Sequence, residues 1–333
     1  MTSDMRQNPA TKEWVVITDY YPEKPSDYGE ELSEGLPDAP EYDTQCPFCP
    51  GNEISNEEIF SIREDGRWLI RAVNNKYPNL SPAPKACASK KRTSDGIFVS
   101  MSGCGHHEVI IEHPVHNKTI GTMTVKEVER ILSVYLRRYN ALANDPIAHL
   151  ITIFRNNGKP AGSSLRHPHS QIISTKVVPL YIRSQLYEAE HYFDDEGLCI
   201  YCAMLENELR VKERIIFENA DFVVFVPFAA GIAYETMVMP RRHSASFGNL
   251  RESEIRSCAE ALRFVTAKMV KNLNNPSYNY LIRTAPVPLS VVPFYHWYIN
   301  IMPKTHPLNG FESGTGIRLS SFSPEQAAAR LRF

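Results

Sequence analysis

The sequence predicts an α+β fold in which two copies of one unit form a mainly antiparallel sheet flanked by helices. Short apolar strands bounded by turn residues alternate with two long amphipathic helices. Cys-x-x-Cys pairs occur at Cys46 and Cys49 and again at Cys199 and Cys202. Each pair is followed by a histidine after a strand, then a helix, then a histidine that opens another strand. This repeated order indicates an internal duplication.

Composition limits the functions that the chain can have. Its 333 residues, enough for one large domain or two ordinary ones, are 43% hydrophobic and 22% charged, which is typical of a soluble globular protein. A net charge of −2 gives no electrostatic basis for binding nucleic acid. No apolar run reaches the length of a membrane span, and the N-terminus lacks the apolar core of a secretion signal. We therefore expect a cytoplasmic protein.

The elements follow the same order in both halves. Apolar runs predict strands at 67–73, 108–113 and 149–154 in the first half, and at 222–226, 235–240, 278–283 and 295–303 in the second. Thr124 and Glu127 form the capping box of a helix that extends to Asn140, and a second helix is predicted at 252–273.

The spacing of the histidines supports the duplication. His116 and His167 are 51 residues apart, and His243 and His296 are 53 residues apart. A glutamate stands eight residues before the first histidine of each pair. We expect the halves to be residues 1–190 and 191–333, which share one continuous sheet.

The duplication predicts two metal sites of the same composition. The ligand sets are Cys46, Cys49, His116 and His167 in the first half, and Cys199, Cys202, His243 and His296 in the second. Zinc binds four nitrogen and sulfur ligands in a tetrahedron, and a set with no open position is structural. The alternative is that these are free buried cysteines, as is common for cysteine in a protein core.

The stretch His167-Pro-His-Ser-Gln171 carries the predicted chemistry. On an extended strand, residues 167, 169 and 171 share one face, and the Gly- and Ser-rich turn before them can hold anionic oxygens. A hydrogen-bonded imidazole at His169 could attack an α-phosphate and form a covalent nucleotidyl-histidine, which is ping-pong chemistry. The second half has Tyr298 at the matching position, so only the first half keeps a nucleophile. The alternative is two ordinary histidines beside a turn.

These motifs resemble those of the galactose-1-phosphate uridylyltransferases, a branch of the histidine-triad superfamily. The resemblance covers nearly the whole chain and includes RQNPATKEWVVI, CPFCPGNE, NNKYP, EVIIEHPVHNKT, FRNNGKPAGSSLRHPHSQ, CIYC, YHWYINIMP and GFESGTG. It implies histidine-triad-like units, zinc as the metal, and a homodimer in which each subunit contributes to its partner's site. It also implies a nucleotidyltransferase of galactose metabolism that moves UMP from UDP-glucose to a hexose 1-phosphate.

The resemblance also implies roles for individual residues. By matching position, His169 is the nucleophile and Gln171 hydrogen-bonds the α-phosphate. The substrate contacts implied are phosphate for Asn156 and Ser164, nucleotide for Asn75, and hexose for Glu312.

Departures from the uridylyltransferase pattern leave the base and the acceptor open. The basic run that usually follows the N-terminal strand is replaced by Tyr20-Tyr-Pro-Glu-Lys-Pro25. The YHW strand and the GFE tail are more similar to the ADP-glucose phosphorylase branch, which moves AMP from ADP-glucose to phosphate. A histidine-triad hydrolase is disfavoured because Gln171 replaces the last triad histidine. An alternative of another class is a non-catalytic, zinc-stabilised nucleotide-binding protein.

Overall fold

The protein is described from a computed structural model of the 333-residue chain, which covers residues 3–18, 39–53, 57–82 and 93–333. The 20–25 run discussed above lies outside these residues. The described strands are β1 (Ser3–Gln7), β2 (Trp14–Thr18), β3 (Glu58–Glu64), β4 (Arg67–Asn74), β5 (Thr93–Asp95), β6 (Phe98–Ser100), β7 (Gly105–Ile111), β8 (Leu150–Asn157), β9 (His169–Thr175), β10 (Ile215–Glu218), β11 (Phe222–Phe225), β12 (Thr236–Pro240), β13 (Tyr278–Arg283), β14 (Tyr298–Pro303) and β15 (Arg318–Ser320). The described α-helices are α1 (Val125–Ala143), α2 (Leu180–Glu196), α3 (Ile200–Val211), α4 (Glu252–Asn272), α5 (Gly310–Thr315) and α6 (Pro324–Arg332).

One ten-stranded sheet organises the molecule. Its strand order is β10-β11-β12-β14-β13-β8-β9-β7-β4-β3, and every neighbouring pair is antiparallel. Strands β13 and β8 pair at the centre, so that strands from the two halves form one continuous sheet. The predicted fold class, duplicated α+β units with a mainly antiparallel sheet, is confirmed. The expected boundary after residue 190 falls within α2 and stays a prediction.

Helices α1 and α4 cover one face of this sheet. Thr124 caps α1 in a capping box with Glu127, as predicted, and the buried residues of the helix recur at intervals of three and four. They pack on sheet residues such as Ile110, Ile172 and Ile299. Because side chains alternate along a strand, the residues directly before and after each of these isoleucines point to the opposite face of the sheet. That opposite face carries His169 and Gln171 in the first half and Tyr298 and Asn300 in the second.

The sheet register corrects one detail of the repeat. Counting from the first histidine of each half matches Glu108 with Glu235. The strand pairing instead matches His107 with Glu235. His107 pairs with Ile173 on β9, six residues after His167. Thr236 pairs with Ile301 on β14, so its neighbour Glu235 lies opposite the next residue of β14, six residues after His296. Glu108 lies on the helical face, where its carboxylate accepts hydrogen bonds from Arg138 at 2.6 and 2.8 Å. The segment from this strand position to the first histidine of the pair is therefore one residue shorter in the second half.

The termini add a smaller sheet of three strands in the order β1-β2-β15, with β15 parallel to β2. Helices α2 and α3, which the apolar patterns did not predict, pack on the opposite face of the sheet, against second-half residues such as Val223, Phe225 and Met239. No helix in the described part of the chain is long and apolar enough to cross a bilayer.

Candidate active site

His169 opens β9 and is held by its own strand. It is 7% exposed, and its Nδ1 lies 2.8 Å from the carbonyl oxygen of His167. A carbonyl can only accept, so Nδ1 carries the proton and Nε2 keeps a lone pair. Burial lowers the pKa of His169 to about 4, and the positive charge of Arg155 acts in the same direction. His169 is thus a neutral imidazole whose unprotonated Nε2 is available for reaction.

A cavity of about 330 Å³ opens beside His169. Lys118, Lys159 and Arg166 lie among its lining residues, and none of the described lining residues is acidic. A site lined by cations attracts an anionic ligand and stabilises its charge. The cavity is therefore suited to a phosphate-containing molecule.

The turn after β8 forms one wall of this cavity. Asn156, Gly158 and Ser164 all line it. Gly158 has φ +86°, and a Cβ there would lie 2.1 Å from Ser277 Oγ, so only glycine fits. Asn279, on β13 of the second half, donates to Asn156 Oδ1 at 2.8 Å and fixes the orientation of its amide. Two predicted phosphate contacts, Asn156 and Ser164, are thus brought together with His169.

Gln171 and Asn75 are joined by a histidine that the sequence analysis did not select. The backbone N–H of Asn79 donates to His107 Nδ1 at 3.1 Å, which places the proton of a neutral ring on Nε2. His107 Nε2 can then donate to Gln171 Oε1 at 2.7 Å. The side-chain nitrogen of Asn75 lies 2.9 Å from His107 Nε2. Neither Gln171 nor Asn75 lines the 330 Å³ cavity, although Gln171 shares the strand face of His169.

The first predicted metal set is assembled beside His169. The four ligand atoms of Cys46, Cys49, His116 and His167 lie within 4.8 Å of one another, and all four residues are buried. Cys49 Sγ is 3.5 Å from His116 Nδ1 and 3.6 Å from His167 Nδ1. Tetrahedral ligands at roughly 2.3 Å (sulfur) and 2.0–2.1 Å (nitrogen) from zinc stand about 3.5 Å apart, so the donor set fits zinc.

Secondary contacts support this donor set. His167 Nε2 lies 2.7 Å from the carbonyl of His113 and donates to it, which leaves Nδ1 as the metal-facing lone pair. Asn52 donates to the carbonyls of Asp43 and Cys46 and closes the Cys-x-x-Cys turn. Phe48, between the two cysteines, packs edge-on against His169 with ring centroids 5.5 Å apart. The Cys-x-x-Cys turn therefore also forms a wall for the imidazole.

The second predicted metal set is more open. The ligand atoms of Cys199, Cys202 and His243 lie within 4.8 Å of one another, and His243 is exposed. His243 Nδ1 is 3.2 Å from Cys202 Sγ, and Nδ1 of the buried His296 is 3.4 Å from the same sulfur. Both clusters could hold a metal ion.

A buried ion pair lies under the strands that carry Asn156 and His169. Glu112 and Arg155 are 1% and 3% exposed and pair with each other, and Tyr135 donates to Glu112 at 2.9 Å. The local sequence pattern did not indicate this buried ion pair, because each of its two residues taken alone resembles an ordinary strand residue. The pair places a positive charge close to His169.

Glu312, another predicted site residue, is held within the C-terminal tail. It is 2% exposed, and its carboxylate accepts from the backbone of Asn309 at 3.1 Å and of Leu319 at 3.2 Å, which shapes the C-terminal tail. It does not line the cavity beside His169 as far as the chain is described.

Comparison with known proteins agrees with this geometry. The family model for the N-terminal domain of galactose-1-phosphate uridyl transferase matches residues 1–179, and a domain of unknown function, DUF4921, matches residues 93–332. An ADP-glucose phosphorylase of Arabidopsis thaliana is 32% identical over 99% of this chain and 92% of its own length. A galactose-1-phosphate uridylyltransferase of Thermotoga maritima is 28% identical over 99% of this chain and 98% of its own.

Solved structures show the same relationship. The crystal structure of an Arabidopsis thaliana ADP-glucose phosphorylase with bound ADP-glucose is similar over 99% of both chains, at 30% identity and a TM-score of 0.83. A structure described as uridylyltransferase covers 99% of this chain and 97% of its own, with 25% identity and a TM-score of 0.76. The resemblance found in the sequence is confirmed, and the chain belongs to the galactose-1-phosphate uridylyltransferase family of nucleotidyltransferases.

Proposed function

We propose that this protein transfers a nucleoside monophosphate from a nucleotide sugar to a phosphate-bearing acceptor through a covalent bond to His169. The observation that carries the proposal is the hydrogen bond from His169 Nδ1 to the carbonyl of His167, which leaves Nε2 free beside a basic cavity. A nucleophile oriented by a fixed acceptor needs little reorganisation before attack.

The reaction has two displacement steps. In the first, Nε2 of His169 attacks the α-phosphorus of the donor, a nitrogen–phosphorus bond forms, and the sugar phosphate leaves with the bridging oxygen. In the second, a phosphate oxygen of the acceptor attacks the same phosphorus and the nitrogen–phosphorus bond breaks. Lys118, Lys159 and Arg166 would neutralise the phosphate oxygens in both steps.

Neighbouring amides would orient the phosphate. Asn156 and Ser164 line the cavity and would contact phosphate oxygens. Gln171 would donate through its amide nitrogen, because its Oε1 already accepts from His107. The position of Asn75 on the other side of His107 supports the proposed contact with the nucleotide.

Zinc would be held by Cys46, Cys49, His116 and His167 in the first half, and by Cys199, Cys202, His243 and His296 in the second. A bound zinc supplies structural cross-linking here, because four protein ligands leave no open position. In the first half the protein ligands then fix His167, whose carbonyl holds His169.

Two donor and acceptor pairs are candidates. UDP-glucose with a hexose 1-phosphate, a reaction of galactose metabolism, is supported by the relatives named galactose-1-phosphate uridylyltransferase. ADP-glucose with phosphate is supported by the higher identity, 32% against 28%, and by the TM-score of 0.83 against 0.76. The two reactions differ in the base of the transferred nucleotide, which the mass of the covalent adduct identifies.

We further propose a homodimer in the cytoplasm. Glu312 sits on a buried tail outside the His169 cavity of its own chain. A contact between this tail and the hexose therefore requires the cavity of a second copy. Sedimentation analysis of the purified protein should give a dimer, and a monomer at working concentrations would remove the proposed role of Glu312.

Intact-protein mass spectrometry tests the central proposal. The protein is mixed with UDP-glucose or ADP-glucose without acceptor and quenched at neutral or alkaline pH, because phosphoramidates are labile in acid. A gain of one UMP supports the uridylyltransferase, and a gain of one AMP supports the phosphorylase. No gain with either donor, in protein loaded with zinc, would contradict the covalent mechanism for both.

A further inference from the structure

The second half keeps a cavity where the first half has its active site. Arg283 on β13 pairs with Tyr298 on β14. In the first half, extending the pairing of β8 and β9 by two residues places Asn156 opposite His169 in the same way. By the same register, Asn300 takes the place of Gln171. The duplicated site has therefore changed its residues, while its position on the sheet is retained.

The hydrogen bonding across the sheet is retained as well. Asn300 donates to Glu235 at 3.0 Å, as His107 and Gln171 share a hydrogen bond at 2.7 Å in the first half. Glu235 is held further by the N–H of Gly231 at 2.9 Å. These contacts place two polar side chains at fixed positions in the wall of the cavity.

The cavity measures about 250 Å³ and holds polar atoms without partners. Asn300 is 7% exposed and its Oδ1 has no hydrogen-bond partner among the described residues. Gln185, 3% exposed, lines the same cavity with an unpartnered Oε1, and Arg283 has an unpartnered buried Nε. A buried polar atom that stays unpaired is destabilising, so a ligand that pairs these atoms is favoured.

The charges define the ligand. Arg283 forms no ion pair within 4.0 Å among the described residues, and its guanidinium lies over the ring of Tyr181, 5.5 Å from the ring centroid. Arg318 lines the cavity too, and so do the carboxylates of Glu13 and Glu235. A stacked guanidinium is suited to phosphate. The acceptor atoms of Glu235, Asn300 and Gln185 require hydroxyl or amino donors, which inorganic phosphate supplies poorly.

We propose that this C-terminal cavity is a second ligand site, which binds a small phosphorylated sugar without chemical change. Arg283 holds the phosphate, and Glu235 and Asn300 accept hydrogen bonds from the sugar hydroxyls. A volume of about 250 Å³ lies below the ~300–1,000 Å³ typical of sites for larger ligands, which favours a monosaccharide phosphate over a whole nucleotide sugar. Tyr298 replaces the histidine nucleophile, and a phenol is protonated at neutral pH, so the site binds only. The inference goes beyond the transfer reaction proposed for His169.

Calorimetric titration of the full chain with glucose 1-phosphate tests the proposal. Arg283→Gln should weaken one binding event at least about tenfold, since a hydrogen bond to a charged group contributes about 1.5–3 kcal/mol. Asn156→Ala, the matched change in the first half, should leave that event intact. Equal binding by wild type and Arg283→Gln, binding lost only in Asn156→Ala, or no binding to the wild type would each overturn the proposal.

A second variant and a second probe sharpen the result. Asn300→Ala, checked for native circular dichroism, should also weaken the event and serves if Arg283→Gln does not fold. Inorganic phosphate should bind at least about tenfold more weakly than glucose 1-phosphate, because it lacks partners for the acceptor atoms. Equal affinity for both probes would overturn the assignment of a sugar.

Discussion

The two halves of this chain present the same strand face with different chemistry. In the first half, a neutral imidazole stands beside a basic cavity and a fully buried Cys₂His₂ cluster. In the second, a phenol, a guanidinium and a carboxylate line a smaller cavity beside a more exposed cluster. Duplicated units can thus keep a sheet register and a Cys-x-x-Cys pair while the residues that face the cavity change. The fold is shared, and the chemistry depends on a few side chains at matching positions.

The other face of the same strands differs too. Under the first site, Arg155 pairs with Glu112 in the core. The register places Ile282 where the first half has Arg155, and Ile282 is buried among apolar residues. The first half therefore carries a buried charge at this position of the strand beside His169, where the second half has an apolar side chain.

The largest effect is expected at His169. His169→Ala removes the nucleophile and should lower kcat by at least about 10⁴-fold, with no nucleotide adduct on any residue of the second half. His191→Ala, which changes an exposed histidine on α2, is the matched control and should keep normal turnover. Rapid-quench kinetics and peptide mapping measure both. An adduct on the second half of the His169→Ala protein would show that both halves are catalytic.

Loss of a cysteine ligand should affect activity differently in the two clusters. Cys46→Ser and Cys199→Ser should each lose one of about two zincs per chain, measured by elemental analysis. Cys46→Ser should lower Tm by roughly 10 °C and remove activity, since its cluster anchors His167 next to His169. Cys199→Ser should lower Tm but keep most of the activity.

Cys258→Ala provides the control for these two variants. Cys258 is buried in α4 outside both clusters, so this variant should keep both zincs. Full zinc content in Cys46→Ser would contradict the first site, and full content in Cys199→Ser would contradict the second.

The buried ion pair predicts a loss of stability. Glu112→Gln leaves the charge of Arg155 without a counter-ion and should lower the free energy of unfolding by about 3–5 kcal/mol. Urea denaturation measures it, with the exposed Glu206→Gln on α3 as control. A change below about 0.5 kcal/mol, the size typical of surface substitutions, would mean that the pair is not needed.

The smallest effect is expected where the second half supports the first. Asn279→Ala removes the hydrogen bond that orients Asn156 and should lower kcat/KM about tenfold with an unchanged Tm. Asn272→Ala, on α4 away from the cavity, is a matched change of residue type. Normal kcat/KM in Asn279→Ala would show that the active site is independent of the second half.

Much of the fold could be predicted because its signals are local. The Cys-x-x-Cys pairs, the capping box at Thr124 and the apolar runs each occupy a few consecutive residues, and their order revealed the duplication. Helices α2 and α3 were missed because their apolar stripes are weaker, with few buried positions in α2. The offset of one residue between Glu108 and Glu235 could not be seen, since loop lengths do not fix register.

The sequence by itself determined the family, the α+β duplication and the candidate nucleophile, because these depend on residue types at short, fixed spacings. Only the tertiary structure decided which distant residues meet. His107 reaches Gln171 over 64 positions, and Asn279 reaches Asn156 over 123. Glu312 is placed away from the cavity of its own chain, and the second half retains a polar cavity of its own. These outcomes depend on strand order and packing between elements, which no local pattern encodes.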